Sequence, residues 1–159
     1  MEMYSNKLIC QILNYIDTNW CNKLSINDLE NRFYYNRYYI MKLFKREIGV
    51  TIFDYVNNFK IYKSINEIAI SNNSMITIAI NCGFNSLEYF SETFKNIVGV
   101  SPSNYKKILN REAIFNIDKY DEVTQNIIKI KNLINKVNVY KNNIKSDKVK
   151  VKKLTIFSS

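Results

Sequence analysis

The feature that most constrains the fold is a segment that occurs twice, 50 positions apart. NRYYIMKLFKREIGV (36–50) and SLEYFSETFKNIVGV (86–100) match at tyrosine, phenylalanine, lysine, glycine and valine positions. In the second copy, Phe90 and Phe94 are four residues apart, which places them on one face of a helix that ends at Gly99. The chain is therefore expected to contain two helices of the same design.

The residues before the second copy predict a short helix, a sharp turn and a second helix. Gly83 can adopt the positive φ of a tight turn. Asn85 is expected to cap the next helix, with Glu88 completing a capping box. Ala79 provides the small side chain that two closely crossing helices require. Helix, glycine turn and capped helix is the order of a helix-turn-helix unit.

The first copy has the same order with different residues at the turn. Ser25 and Asp28 predict a capping box, and Asn36 is expected to cap the repeated helix. Glu30 and Tyr34 stand where the second copy has Ala79 and Gly83. Because tyrosine is strained in the left-handed conformation that glycine adopts freely, we expect a distorted first turn.

The segment between the copies predicts one long helix. Apolar residues recur at helical spacing from Tyr55 to Ile68, and a helix over 52–71 would be ~30 Å long. Major-groove faces on one side of B-DNA recur every ~34 Å. A stiff helix of this length could hold two recognition helices in successive grooves. A purely structural repeat is the competing interpretation, but solenoids need at least three copies.

Composition narrows the function classes. The 159 residues are 47% apolar and include only three glycines and one proline, which favours long helices over an all-β fold. The chain has no histidine, and its three cysteines lack metal spacing, so we expect no metal, no cofactor and no enzyme. Without a long apolar run or a signal sequence, we expect a soluble, cytoplasmic protein that does not contact membranes.

Charge gives a weaker indication. The net charge of +9 favours a nucleic acid or another acidic surface as partner. Residues 110–159 hold 11 Lys+Arg against 5 Asp+Glu, whereas residues 1–109 hold 12 against 9. Most of the positive charge therefore lies outside the repeat.

Residues 1–109 are expected to form the DNA-binding domain, and residues 110–159 a basic C-terminal extension. In this extension, apolar residues from Tyr120 to Val137 are spaced alternately by four and three. The stripe could join two chains as a weak dimer through residues 120–137. We favour packing on its own chain, since it spans barely two heptads. We expect a C-terminal helix in this extension, followed by the segment DKVKVKKLTIF (147–157), which partly alternates and predicts a short strand.

The motif GF-x-x-x-x-YFS-x-x-FK followed by GVSPSNY resembles the C-terminal signature of AraC/XylS transcription regulators. The resemblance covers roughly residues 6–108. It implies an all-α fold in which two helix-turn-helix units are joined by a long linker helix, a homeodomain-like tandem. It also implies a transcription regulator, usually an activator, that binds double-stranded DNA sequence-specifically in two successive major grooves and approaches RNA polymerase. The alternative is a helical protein-interaction module derived from a degenerate helix-turn-helix domain.

The resemblance also implies which residues contact DNA. On the first recognition helix, Tyr38 and Met41 suit thymine methyl groups and Lys42 suits guanine. Glu92 stands where the family commonly has arginine, so we expect the second helix to bind weakly or with relaxed specificity. The base-reading residues would be Tyr38, Met41, Lys42, Glu88, Tyr89 and Glu92. The phosphate-contacting residues would be Arg37, Lys45, Arg46, Lys60, Lys95, Lys106 and Lys107.

Two of these assignments have competing interpretations. Glu88 is assigned first to the capping box and only second to base reading. The basic residues of the first recognition helix could instead form a solvated helix face. We expect a monomer bound to an asymmetric site, unless residues 120–137 pair two chains.

Overall fold

The structure is a computed structural model that describes residues 2–112 and 117–157. Within these ranges all regular secondary structure is helical, which confirms the all-α prediction. No helix in the described part is long and apolar enough to cross a membrane. The helices are α1 (Glu2–Asn19), α2 (Ile26–Phe33), α3 (Arg37–Ile48), α4 (Ile52–Ile70), α5 (Met75–Asn81), α6 (Leu87–Val98), α7 (Pro102–Leu109) and α8 (Ile117–Phe157).

The chain divides into two compact units, each with one of the repeated helix pairs. Unit 1 contains the chain up to Thr18, Ser25–Ile52 and the chain from Leu133 onward, and it holds α2 and α3. Unit 2 contains Asn19–Leu24 and Phe53–Asn132, and it holds α5 and α6. The long C-terminal helix α8 thus contributes residues to both units.

The core of unit 1 is formed by the inward faces of its helices. α1 buries an apolar stripe that runs from Leu8 to Ile16. Tyr39 is exposed and stacks on Tyr35 with 5.5 Å between ring centroids. The core side of α3 is already filled by other residues, so Tyr39 lies at its edge. Those residues are Ile40, Leu43, Phe44 and Ile48.

Unit 2 is organised around a row of aromatic rings. Phe84 packs on Phe90, Phe90 on Phe94 and Phe94 on Tyr105, with centroid distances of 5.1, 5.7 and 5.7 Å. All four side chains are buried, and each ring meets the next at a tilted or edge-on angle, the geometry that aromatic pairs prefer. The row joins the turn before α6, the inward face of α6 and α7.

Most predicted helix ends are confirmed. Ser25 and Asp28 form a reciprocal capping box, and Asn36 caps α3 by accepting from the Tyr38 amide at 2.9 Å. The predicted Asn85 cap is wrong, because Ser86 is the N-cap of α6 and its hydroxyl accepts from the Tyr89 amide at 3.1 Å. Gly99 ends α6 in the left-handed conformation, which confirms the predicted end. Further helix ends are the N-caps Ser74 and Ser101 and the left-handed terminus Gly49.

The C-terminal segment differs from its prediction. Residues 147–157 belong to α8 and are helical, so the predicted strand is wrong. The alternation there is short and lysine-rich, and lysine continues a helix readily, whereas a lone strand has no partner. Four residues of the predicted stripe are buried within the single chain, so it packs intramolecularly as expected: Val123, Ile130, Ile134 and Val137.

Candidate nucleic-acid interface

The turn of unit 1 is built around a strained tyrosine and an ion pair. Tyr34 has φ 59° and ψ 33°, so it adopts the left-handed conformation despite the strain that tyrosine has there, and its side chain is almost fully exposed. Glu30 accepts from the backbone amide of Arg37 at 3.0 Å and from its Nε at 3.1 Å. These hydrogen bonds, above all the backbone one, lower the pKa of Glu30. Glu30 therefore supports the start of α3.

The turn leads into a helix with an aromatic and basic outer face. The Tyr38 side chain is 76% exposed and that of Met41 39%, and Lys42 is also exposed. These residues are three and four positions apart, so they are neighbours on the helix surface. Lys45 is exposed one turn further on. The predicted base-reading residues of α3 thus share one accessible face.

The turn of unit 2 has a different construction. Gly83 has φ 76°, and a Cβ atom there would lie 2.4 Å from the backbone oxygen of Cys21, so only glycine fits. Lys60 is 8% exposed, donates from Nζ to the Gly83 carbonyl at 2.8 Å and lies over the Phe84 ring. Burial lowers the pKa of Lys60.

The prediction that Lys60 contacts a phosphate is therefore wrong. This position of α4 faces the interior of unit 2. Its long aliphatic stem allows the ammonium group to reach a carbonyl at the turn, where it holds the polypeptide in place. The residue supports the helix-turn-helix geometry and is not available to a DNA backbone.

The outer face of α6 is acidic. Glu88, Tyr89 and Glu92 are exposed, as predicted, and Lys95 is the one basic residue of this helix. Since Ser86 is the N-cap, Glu88 is not the capping-box partner and its carboxylate faces solvent. Carboxylates repel phosphates, so this face complements DNA less well than that of α3.

The remaining predicted phosphate contacts differ in availability. Arg37 is paired with Glu30 at 2.8 Å, and Arg46 with Glu47 at 2.7 Å. Lys107 is exposed near the end of α7, whereas its neighbour Lys106 is half-buried. The exposed ammonium group of Lys107 would therefore contribute more to phosphate binding than the guanidinium groups of Arg37 and Arg46, which are held in ion pairs.

Two residues of α8 were missed by sequence reasoning. Asn126 donates to the carbonyl of Val98 at 3.1 Å, and Lys136 donates to that of Ile48 at 2.9 Å. Ile48 and Val98 are equivalent in the repeat, each the last residue of its helix. A C-terminal carbonyl of α3 and one of α6 are thus each satisfied from α8. No local sequence pattern predicts this, because the partners are 88 and 28 positions apart.

These features agree with the comparisons to known proteins. A family model described as a helix-turn-helix domain matches residues 29–108, half of the chain. The chain belongs to the AraC-type helix-turn-helix family of transcription regulators. AarP of Providencia stuartii, an HTH-type transcriptional activator, is 28% identical over 103 residues, which are 65% of this chain and 76% of AarP. Several other relatives are longer, and the chain spans about two fifths of their length.

Solved structures show the same AraC-type fold. The DNA-binding domain of AdpA, determined in complex with a target DNA, superposes with a TM-score of 0.61 at 17% identity and covers 65% of this chain and 94% of that domain. An AraC-type regulator from Chromobacterium violaceum gives a TM-score of 0.59 at 20% identity and covers 69% and 97%. At these identities the likeness concerns the fold alone.

Proposed function

We propose that this DNA-binding AraC-type regulator reads a bipartite duplex site with α3 and α6 in successive major grooves, and that it activates transcription by approaching RNA polymerase. The observation that carries the proposal is the exposed face of α3, where Tyr38, Met41 and Lys42 are accessible together. The family's regulators include the activator AarP, which supports activation. The protein would act in the cytoplasm.

The length of the connecting helix α4 supports the proposal that two successive grooves are bound. α4 is an uninterrupted helix of 19 residues, and at 1.5 Å per residue it is about 28 Å long. This is close to the ~34 Å that separates major-groove faces on one side of B-DNA. We propose that α4 acts as a rigid spacer and that a kink within it would disturb bipartite binding.

The two recognition helices would contribute unequally. α3 contains four basic residues and one glutamate, whereas α6 contains one lysine and two glutamates. We therefore assign base reading first to α3 and give Glu88, Tyr89 and Glu92 of α6 a weaker share. Phosphate contacts would come from Lys45, Lys95 and Lys107, with smaller contributions from Arg37, Arg46 and Lys106.

We further propose that residues 1–109 carry DNA binding and that residues 110–159 support them. The apolar stripe of α8 is buried within one chain at Val123, Ile130, Ile134 and Val137. A buried stripe offers little surface to a second copy, which supports a monomer bound to an asymmetric site. The caps that Asn126 and Lys136 provide support a positioning role for the extension.

Salt-dependent binding to random-sequence duplex DNA tests this function. Affinity should fall steeply between low and high salt, because counterions are released when lysines meet phosphates. Lys45→Ala should reduce the salt slope by about one unit, and Lys7→Ala, which removes an exposed lysine from α1, should leave it unchanged. No binding at low salt would instead favour the protein-interaction module.

A further inference from the structure

An unusual concentration of tyrosine surrounds the start of α3. Four tyrosines in six consecutive positions are exposed by 43% or more of their side chains, namely Tyr34, Tyr35, Tyr38 and Tyr39. Tyr35 and Tyr39 stack with their planes 22° apart, and Met41 extends the exposed surface along the helix. Large exposed apolar groups grouped in this way mark a binding surface rather than a solvated face. We refer to these five residues as the tyrosine patch.

The same helix lacks an unengaged guanidinium group. Arginine that donates two hydrogen bonds to guanine O6 and N7 is the commonest specific contact in the major groove. Here Glu30 accepts from Nε and pairs with Nη2 of Arg37, while Glu47 holds Arg46 at 2.7 Å. α6 contains no arginine. The reading surfaces are therefore poor in guanidinium groups free of an ion pair, and Lys42 is the exposed residue of α3 that suits guanine.

The major groove offers one apolar group, the C5 methyl of thymine. We infer that α3 selects thymine-rich duplex DNA, with Tyr38 and Met41 of the tyrosine patch packing against thymine methyl groups. This inference rests on the proposed function and specifies its substrate. The exposed Lys42 and Lys45 of the same helix favour a polyanion over a protein partner for this patch.

Three pools of duplex DNA test the inference on the full-length protein. The first is random but rich in A·T pairs, the second is random and rich in G·C pairs, and the third is the first pool copied with deoxyuridine in place of thymidine. The third differs from the first only by the missing C5 methyl groups. We expect tighter binding to the first pool than to the second, and about fourfold weaker binding for each contacted methyl that is removed.

Substitutions in the tyrosine patch assign the effect to α3. Tyr38→Ser and Met41→Ala should each reduce the affinity ratio between the thymidine and deoxyuridine pools towards one. Tyr120→Ser removes another exposed tyrosine, from α8, and should leave that ratio unchanged. Thermal unfolding of each variant shows that it is folded, and both patch residues are exposed, so folding should be retained.

The outcomes separate the inference from the proposed function. Equal binding to the thymidine and deoxyuridine pools, with duplex binding intact, would overturn thymine reading and leave the regulator function standing. A methyl effect that survives both patch substitutions would also overturn it, and would leave the tyrosine patch as a protein-binding surface. Failure to bind any pool at low salt would contradict the proposed function itself.

Discussion

The two helix-turn-helix units each place a left-handed residue at the turn, but they support the turn by different means. In unit 1 an exposed Tyr34 adopts a left-handed conformation, and Glu30 secures the start of α3 through Arg37. In unit 2 the turn uses Gly83, close to the backbone of Cys21, and Lys60 holds it from the interior. Unit 1 secures its turn with surface contacts, whereas unit 2 relies on burial.

The exposed faces of the recognition helices α3 and α6 differ in charge, and here unit 1 is the one that suits DNA better. α3 has four basic residues and the tyrosine patch, whereas α6 exposes Glu88 and Glu92. The unit whose turn is strained is thus chemically better suited to DNA, and the unit with the well-packed turn is less suited. Core packing and surface chemistry involve different residues, so the two can vary separately between the units.

The largest expected effect is the difference in the free energy of unfolding between variants at the two turns. Gly83→Ala should lower the free energy of unfolding by about 3 kcal/mol, because its Cβ meets backbone atoms of Cys21 and alanine is strained at φ 76°. Tyr34→Gly should change it by less than ~1 kcal/mol, in the stabilising direction, because strain relief is partly offset by unfolded-state entropy. Urea unfolding measures both.

Gly49→Ala is the comparison for left-handed strain without a close contact to backbone atoms. Its Cβ would meet only the flexible end of Lys136 at 3.2 Å, so a loss of about 1–2 kcal/mol is expected. Equal losses for Gly83→Ala and Gly49→Ala would show that the close approach to Cys21 has no energetic weight. That result would remove the contrast between a buried and a surface turn.

The second prediction compares the recognition faces. Lys42→Ala should cost about 1–3 kcal/mol in binding to the preferred site and relax the preference at one base position. Glu92→Gln should strengthen binding to all sequences by about fivefold, the effect of removing one exposed charge repulsion. Asp121→Asn, at an exposed position of α8, is the matched control for Glu92→Gln and should have no effect. Weaker binding of the Glu92→Gln variant would show that this carboxylate reads a base.

The third prediction concerns the caps from α8. Lys136→Met should destabilise the fold by about 1 kcal/mol, since it removes a cation from the C-terminal end of α3, and the loss should shrink in high salt. Asn126→Ala should cost about 0.5–1 kcal/mol at the end of α6, independent of salt. Lys131→Met, at an exposed position of α8, is the control. If the losses of stability in Lys136→Met and Asn126→Ala depended on salt in the same way, Lys136 would not act on the end of α3 through its charge.

The smallest expected effects are changes of stability with pH, which come from Glu30 in unit 1 and from Cys82 in unit 2. The pKa of Glu30 lies below its ordinary 4.5, so its contribution to stability is present above that pH and is lost as the pH falls through the folded value. Burial, with Glu67 nearby, raises the pKa of Cys82 from 9.0 to about 12, so its contribution is present below pH 9 and is lost as the pH rises towards 12.

Stability measured across pH under reducing conditions tests both directions. Glu30→Gln should reduce only the loss of stability at acid pH, and Cys82→Ala should reduce only the loss of stability at alkaline pH. A Cys82→Ala variant that keeps the full alkaline loss would show that this thiol does not titrate differently in the folded and unfolded chain.

The features predicted correctly from the sequence are local ones. The Ser25 and Asp28 capping box and the Gly99 terminus depend on residues a few positions apart, so their patterns are visible in the sequence. The N-cap of α6 was displaced by one residue because Asn85 and Ser86 are both good caps. The exposed face of α3 follows from helical spacing together with the family resemblance.

The features that were missed or wrong depend on distant contacts. The burial of Lys60 is fixed by a carbonyl 23 positions away, and the cap from Lys136 by one 88 positions away. The helical end of α8 was mistaken for a strand because the alternation between residues 147 and 157 is too short to distinguish the two periods. Helix propagation from the preceding residues decides between them.

Selection of bound sequences from a random duplex library tests the unequal reading by α3 and α6 most directly. We predict a motif with one strongly specified, thymine-containing segment and a weaker segment about one helical turn away. The same selection with Lys42→Ala should relax one position of the strong segment only. Two equally specified segments, or a motif unchanged by Lys42→Ala, would contradict the assignment of specific reading to α3.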